Sequence, residues 1–571
     1  MPATGIQGFK CGVMAAGVLL LSLALPPAQA AGRGPDLGRR ADALFEQYTK
    51  AGSPGLAVAV IRQGTVVFAR GYGLADVERG TPISTATVFN VGSVSKQFTG
   101  LAVAMLVNDG KLSLDTDIRT HIPQMQPELP RISLRQLSQH TSGLRDFIGA
   151  LRLADVDPRD PISFDQMLHL VTRQKSVNFT PGSEFSYSNT NYALLAEIVE
   201  RVTGKDFPLW MSEQVFEPLG MTRSQYLVSP ISVAPANVPE RAMSYLRNPE
   251  GEVQFAPDNL AVHGCSSLLS SVDDLVSWVR NFSTARVGGR NSMTMMHSPP
   301  DAISAADMTY ALGLEHQTYR GQSTVEHSGG WAGFTSNVMH FPEHDSGVIV
   351  LSNFGEIHPV NTARALADLF LADLLAPVER TASVPTRRYK VRPANLDRYL
   401  GAYRLGAGWY VRISRDGRAL VAGVSGRHKA RLTARSETRF LLADYAAEID
   451  FVVDAPGPAS AFMFRDKQAL RVDEDGFIPP HDLKEFVGNY SSDELGVTYP
   501  IRLRSGSLVL LSRSSGPVSL NHAWRDDFRG SSYPYTSVAF ERDGQGRIQG
   551  LLINANERNR EVRFVRKTDA S

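Results

Sequence analysis

The spacing of apolar and polar positions divides the chain into segments of different texture. Near residue 60 an apolar run, 56–61 (LAVAVI), and an alternating one, 65–70 (TVVFAR), flank a turn at Gly64, which predicts a β-hairpin. A second hairpin is predicted at 334–341 (FTSNVMHF) and 348–352 (VIVLS), across the polar turn 342–347. Between the two, apolar positions recur mostly at helical spacing, as at Val94, Phe98, Leu101, Met105 and Leu106, and 361–375 again carries a helical apolar face. Hairpins at both ends of a helical middle predict an α+β fold in which early and late strands complete one antiparallel sheet.

The texture changes at 376–393, where three prolines and scattered charges replace the periodic pattern, as in a linker. Short β-like runs follow, and they repeat. Residues 396–403 (LDRYLGAY) match 483–490 (LKEFVGNY), relating Gly401 to Gly488 and Tyr403 to Tyr490. Alternating strands come after each copy, at 411–422 and 501–512. Two copies of one small all-β unit are predicted, each long enough for a barrel of roughly six to eight strands.

The first thirty residues read as an address. Lys10 precedes an apolar run at 12–25, then Pro26-Pro27 and Ala28-Gln29-Ala30, the three parts of a secretory signal cleaved before Ala31. The run is short for a membrane span, and no later segment reaches the length that one needs. A secreted or periplasmic protein without a membrane span is therefore expected. The expected organisation is a signal at 1–30, a catalytic domain at 31–380 and β-barrels at 394–480 and 481–571.

Composition excludes other classes. With Lys+Arg 59 against Asp+Glu 58 in 571 residues, the chain has no cationic excess for a nucleic-acid backbone, so no nucleic-acid partner is expected. Loss of the leader removes Cys11 and leaves Cys265 alone, so an internal disulfide plays no part and stability must come from the cores.

Three stretches carry candidate chemistry. In Ser93-Val94-Ser95-Lys96, Ser93 stands at a helix start and Lys96 one turn later on the same face. An amine so placed can take the serine proton in a site that favours its neutral form, and free N–H groups at the helix start can hold an oxyanion. Alone, the same pattern fits a capping serine and a surface lysine. Tyr187-Ser188-Asn189 precedes a second helix and can present a phenol and an amide to a cleft, or simply pack a loop and cap the helix. His327-Ser328-Gly329-Gly330 enters the second hairpin, where glycines let a substrate carbonyl lie close to the strand.

Together, S-x-x-K at 93, Y-x-N at 187 and H-x-G at 327 resemble the three motifs of the penicillin-recognising serine hydrolases. That superfamily includes serine β-lactamases, D-Ala-D-Ala carboxypeptidases, related esterases and D-aminopeptidases. His140-Thr141-Ser142-Gly143-Leu144, Gly264-Cys265-Ser266-Ser267-Leu268 and Tyr310-Ala311-Leu312-Gly313 resemble its supporting segments, and the likeness spans about residues 40–375. It implies a β-lactamase/transpeptidase-like domain followed by two lipocalin-like barrels. It also implies Ser93 as nucleophile, Lys96 and Tyr187 as the proton-transfer pair, and Asn189, His327, Gly329 and Gly330 as substrate contacts. The Ser93 and Gly330 N–H groups would form the oxyanion hole. No metal and no cofactor are expected.

His327 stands where β-lactamases and transpeptidases carry lysine, as in esterases and D-aminopeptidases of the group. A neutral imidazole attracts a carboxylate less than an ammonium does. The expected activity is therefore that of a D-aminopeptidase-like peptidase or amidase on small substrates. The alternatives are a carboxylesterase and a non-catalytic peptidoglycan- or penicillin-binding module. A Ser-His-Asp hydrolase lacks its G-x-S-x-G elbow here, and His316, His327, His340 and His344 match no zinc spacing. Finally, the polar stretch 512–535, with Trp524, Asp526 and Asp527, reads as a long loop. It is expected either to form a lid offering a carboxylate to a substrate amine or to be a plain exposed hairpin.

Overall fold

The structure, a computed structural model, describes residues 35–229, 238–300, 308–377 and 389–567, save 390, 407, 418, 425–428, 443–446, 454–456 and 465–466. The signal read at 1–30 and most of the linker lie outside the described residues. Two compact units emerge, one built from the N-terminal two thirds and one from the C-terminal part, to which Arg152–Asp157 also belongs.

The first unit is α+β. Its sheet has seven strands, taken in chain order as β1 (Leu56–Arg62), β2 (Thr65–Tyr72), β3 (Thr309–Ala311), β4 (Leu314–Tyr319), β5 (Gln322–Trp331), β6 (Phe334–Phe341) and β7 (Ser346–Ser352). Their spatial order is β3-β4-β5-β6-β7-β1-β2. β1 pairs antiparallel with β7 from Leu56↔Ser352 to Ile61↔Gly347, so early and late strands do share the sheet. The unbroken apolar run of β1 is explained by burial on both faces. One face packs on Pro35–Phe45 and Pro359–Phe370, where Ala41, Phe45, Leu366 and Phe370 meet Val58, Val60, Met339 and Val350.

The helical middle supplies α1 (Ser95–Asn108), α2 (Asn189–Thr203) and α3 (Val272–Thr284). Only a few residues of α1 reach the surface, as expected of a helix that is apolar on most sides and lies at the centre. Gly100 makes this possible, because a Cβ there would lie 1.8 Å from the Leu312 carbonyl oxygen.

The second unit holds two closed eight-stranded antiparallel barrels, from Gly401–Gly406 to Lys467–Val472 and from Gly488–Ser492 to Val562–Lys567. The repeat is physical. Tyr403 donates to the Tyr399 carbonyl at 2.9 Å and Tyr490 to the Phe486 carbonyl at 2.8 Å. Opposite each tyrosine on the closing strand sits an arginine that reaches back to a carbonyl. Arg471 bonds Leu400 at 2.5 Å and Arg566 bonds Val487 at 2.6 Å. Rings of Tyr399, Tyr403, Phe440, Phe451 and Phe462 pack together in the interior of the first barrel.

The long loop expected at 512–535 is not a loop. It folds into strands Gly516–Trp524 and Asp527–Gly530, because apolar Val518, Leu520 and Phe528 alternate into the barrel. Its carboxylates are engaged within the same unit: Asp526 pairs with Arg542, and Asp527 accepts from the Tyr410 hydroxyl and from Arg404. Trp524 packs against Tyr410 and donates to the Asp473 carbonyl. The two aspartates are thus occupied in joining and closing barrels, which corrects the expectation that one of them is held out to a substrate amine.

Candidate active site

Ser93 lies in a single 3₁₀ turn, Gly92–Val94, directly ahead of α1, so the nucleophile candidate precedes the helix proper by two residues. The turn starts from a short strand, Phe89–Asn90, and crosses φ +53° at Gly92. That value suits glycine, and space demands glycine as well, because a Cβ would lie 2.6 Å from the Gly330 nitrogen. On the facing strand, a Cβ on Gly329 would meet the Val91 oxygen at 2.2 Å and the Ser93 nitrogen at 2.9 Å, whereas Gly330 has room. The steric reason for the H-x-G glycine is therefore the serine turn itself. Gly330 is exposed and leaves its peptide open to the cleft.

Past Glu315↔Glu326, the last pair with β4, strand β5 continues to Trp331 beside the serine turn. This places the Ser93 and Gly330 peptides across a narrow gap from each other.

Lys96 is 0% exposed. Its Nζ donates to Ser93 Oγ at 3.1 Å, to Asn189 Oδ1 at 2.8 Å and to the Cys265 carbonyl at 2.7 Å. Two of these partners only accept, while the serine hydroxyl both accepts and donates. When the ammonium gives up one proton, its two remaining N–H bonds satisfy Asn189 and Cys265, and its lone pair points at Ser93. The same three contacts thus serve both protonation states.

Asn189 is oriented in turn. Its backbone N–H and its Nδ2 both donate to Asp146 Oδ2, at 2.7 and 2.8 Å, which turns Oδ1 toward the lysine. The amide that the sequence suggests for substrate binding is thus held at both ends. Tyr187 places its ring 4.8 Å from Lys96 Nζ and 4.3 Å, centroid to centroid, from His140. The turn containing His140 braces the tyrosine loop, since Ser188 N donates to His140 Nδ1, Ser186 N to the His140 carbonyl and Gly182 N to the Thr141 carbonyl.

His327 is 2% exposed. Its Nδ1 lies 2.5 Å from the Ser328 carbonyl and its Nε2 lies 2.8 Å from the Tyr310 hydroxyl. A carbonyl only accepts, so Nδ1 carries the proton and Nε2 accepts from Tyr310. Burial, and then the Lys96 charge, push the imidazole down to about 3. The ring is neutral across the physiological range.

The structure brings Ser93, Lys96, Tyr187, Asn189, His327, Gly329 and Gly330 together. It adds three groups without a role in the sequence reading: Asp146, Tyr310 and the Cys265 carbonyl. The first two adjoin or lie within segments already singled out, but a main-chain oxygen leaves no signal in the sequence. Two histidines that follow His327 in the sequence go elsewhere. His340 packs against Phe282 and His297, and His344 bonds Gln322. Among the described residues, no three His, Cys, Asp or Glu side chains are grouped to hold a metal ion. Nor is any helix among them long and apolar enough to cross a membrane.

Comparison with known proteins follows the same outline. Residues 41–373 match the family described as Beta-lactamase. The chain is 24% identical to penicillin-binding protein 4* of Bacillus subtilis (strain 168) over 437 residues, which is 74% of this chain and 95% of that one. It is 24% identical to a D-aminopeptidase of Brucella canis over 525 residues, 88% and 93% of the two chains. Among solved structures, an octameric penicillin-binding protein homologue from Pyrococcus abyssi superposes with a TM-score of 0.54 at 23% identity, covering 76% of this chain and 100% of that one.

Proposed function

The chain belongs to the beta-lactamase family and is a serine hydrolase, and within that class we propose that it acts through an acyl-enzyme on Ser93, with small D-aminoacyl amides or peptides as substrates. The observation that carries the mechanism is the set of contacts around Lys96, whose Nζ lies 3.1 Å from Ser93 Oγ with its other partners fixed. Lys96 takes the serine proton as Oγ attacks the substrate carbonyl. The oxyanion then rests on the Ser93 and Gly330 N–H groups. Tyr187 passes the proton on to the leaving amine, and water reverses the sequence to release the acyl group.

The substrate class rests on His327. A neutral ring with both nitrogens engaged offers no cation to a C-terminal carboxylate, which disfavours carboxypeptidase action. Substrates recognised from the amino side fit better, and D-aminopeptidase relatives extend over most of the chain. The same neutrality fits a carboxylesterase. We also propose that the leader at 1–30 is removed and that the enzyme works outside the cytoplasm, which N-terminal sequencing of the mature protein tests.

The deciding experiment is intact-mass labelling with a fluorophosphonate, run beside a panel of D- and L-aminoacyl amides, short esters, a cephalosporin and a D-Ala-D-Ala peptide. The wild type should carry one adduct on Ser93 and turn over D-aminoacyl amides best. Ser93→Ala should lose both label and turnover while keeping its melting temperature, because removing a hydroxyl at a cleft costs little stability. An adduct on another residue would overturn the mechanism. Labelling without turnover of any panel member would favour a binding module.

A further inference from the structure

Behind the serine turn lies a buried ion pair that the mechanism above does not use. Arg241 Nη2 donates to Asp258 Oδ2 at 2.9 Å, with the two side chains only 7% and 3% exposed. Arg241 Nε is buried without a partner among the described residues. Taking such a pair out of water is expensive, and apolar residues of similar volume commonly serve stability as well or better. Burial pushes the Asp258 carboxyl up and the Arg241 guanidinium down, although each is the other's counter-ion. Stability alone does not account for the pair.

Its connections lead to the nucleophile. Asp258 Oδ2 also accepts from Asn90 Nδ2 at 2.8 Å, and this fixes the orientation of the Asn90 amide. The other end, Asn90 Oδ1, accepts the Gly92 N–H at 2.9 Å. On the far side of Gly92, its carbonyl accepts from Ser95 Oγ at 2.6 Å and from the Ser95 N–H. Both peptide groups flanking the φ +53° residue are therefore held. The second of these is the Gly92–Ser93 peptide. In a trans peptide the N–H points opposite to the C=O, so anchoring the Gly92 carbonyl sets the direction of the Ser93 N–H.

We infer that the Arg241–Asp258 pair, acting through Asn90, positions the Ser93 N–H of the oxyanion site, which makes Asn90, Asp258 and Arg241 positioning residues for acylation. The inference rests on the acyl-enzyme reading above. The surroundings leave the turn little room to compensate, since Gly329 and Gly330 already press against it. A turn released at Gly92 shifts or rotates an oxyanion donor, and losing one such donor typically costs about 10²–10³-fold in kcat.

The test exploits hydrogen-bond polarity. Asn90→Asp sets two carboxylates against each other and breaks the link to Asp258. It should lower kcat and the rate of Ser93 labelling by about 10²-fold, with KM changed by less than about threefold. Asp258→Ala removes the one oxygen that accepts from both Asn90 and Arg241, and should cost kcat a similar factor. If Asp258 acts through Asn90, adding Asp258→Ala to Asn90→Asp should lower kcat by no more than about threefold further, so that the two losses do not multiply. A purely structural role predicts parallel losses in melting temperature without the kcat-against-KM split. If Asn90→Asp does not accumulate, Asn90→Ala, which leaves no like charges together, takes its place with the same expected split.

Wild-type kcat in either single variant, or a folded double variant whose losses multiply, overturns the inference. Absence of label on wild-type Ser93 would instead sink the acyl-enzyme reading and this inference with it. Label on Ser93 together with unaffected variants removes this inference alone.

Discussion

Lys96 in the first unit and Tyr403 in the second are both fully buried, and both carry a polar head that must be satisfied. Tyr403 donates to the Tyr399 carbonyl four residues back, with Arg471 of the closing strand donating to it in turn, and the second barrel copies the donated bond with Tyr490 and Phe486. Lys96 finds two of its partners 93 and 169 residues away, in Asn189 and Cys265. In the barrels, the bond that the buried tyrosine donates is local and repeated. In the catalytic unit the lysine's set of partners is assembled from distant segments, and each partner restricts what the lysine can do with its proton. On the mechanism proposed above, the difference separates polar groups that maintain a fold from those that prepare a reaction.

The sharpest way to break this contrast is a double-mutant cycle. If Lys96 and Tyr187 act as one unit with Ser93, then Lys96→Ala, Tyr187→Phe and the double variant should each lose about 10²–10⁴-fold in kcat, with losses that do not multiply. Steady-state kinetics on the best panel substrate checks this. Retention of most activity by Tyr187→Phe would remove the phenol from the mechanism.

A second test concerns burial on the opposite face of the catalytic sheet. Glu315 faces Glu326 across β4 and β5, and burial together with the Glu326 charge push its carboxyl up to about 8. A folded-state value above the unfolded one means that its contribution is fully present below the ordinary carboxylate range, near pH 4.5. That contribution then erodes as pH rises and is gone above about 8. Glu315→Gln should therefore flatten the fall of melting temperature between pH 5 and about 9 and leave the variant the more stable protein at the alkaline end. A melting curve that drops with pH as in the wild type would show that the carboxyl ionises without penalty.

The smallest effect is expected in the barrels. Tyr403→Phe and Tyr490→Phe each remove the bond donated to the carbonyl four residues back, worth about 0.5–1.5 kcal/mol, and Tyr403→Phe also removes the longer one accepted from Arg471. Hydrogen exchange read separately in the two copies should show similar losses. A much larger loss in one copy would mean that the repeat is one of sequence and not of energetics.

The same contrast explains how much could be read beforehand. The hairpins were legible because Gly64 and the polar turn at 342–347 interrupt strands whose periodicity is local. The barrels were legible because LDRYLGAY and LKEFVGNY repeat a turn and a tyrosine that bonds within its own segment. The stretch at 512–535 misled, because its glycines, serines and charges resemble a loop, while Val518, Leu520 and Phe528 turn inward at alternate positions. At the site, Ser93, Lys96, Tyr187 and His327 stand in recognisable spacings. Asp146, Asn90 and Asp258 act through partners that only the folded chain brings near, and the Cys265 oxygen belongs to the backbone. Nor did the sequence show that Gly329 is required by the serine turn at its back.

Cys265 gives this arrangement a readout. Its carbonyl holds the lysine while its thiol is fully buried and pushed up to about 12. A thiol in that state does not react with alkylating reagents until the segment swings away, and when it does the lysine loses an anchor. The rate at which the Cys265 peptide acquires an alkyl tag is therefore a clock for opening of the catalytic centre. Any ligand that tightens the centre slows that clock, whether or not the ligand is ever hydrolysed.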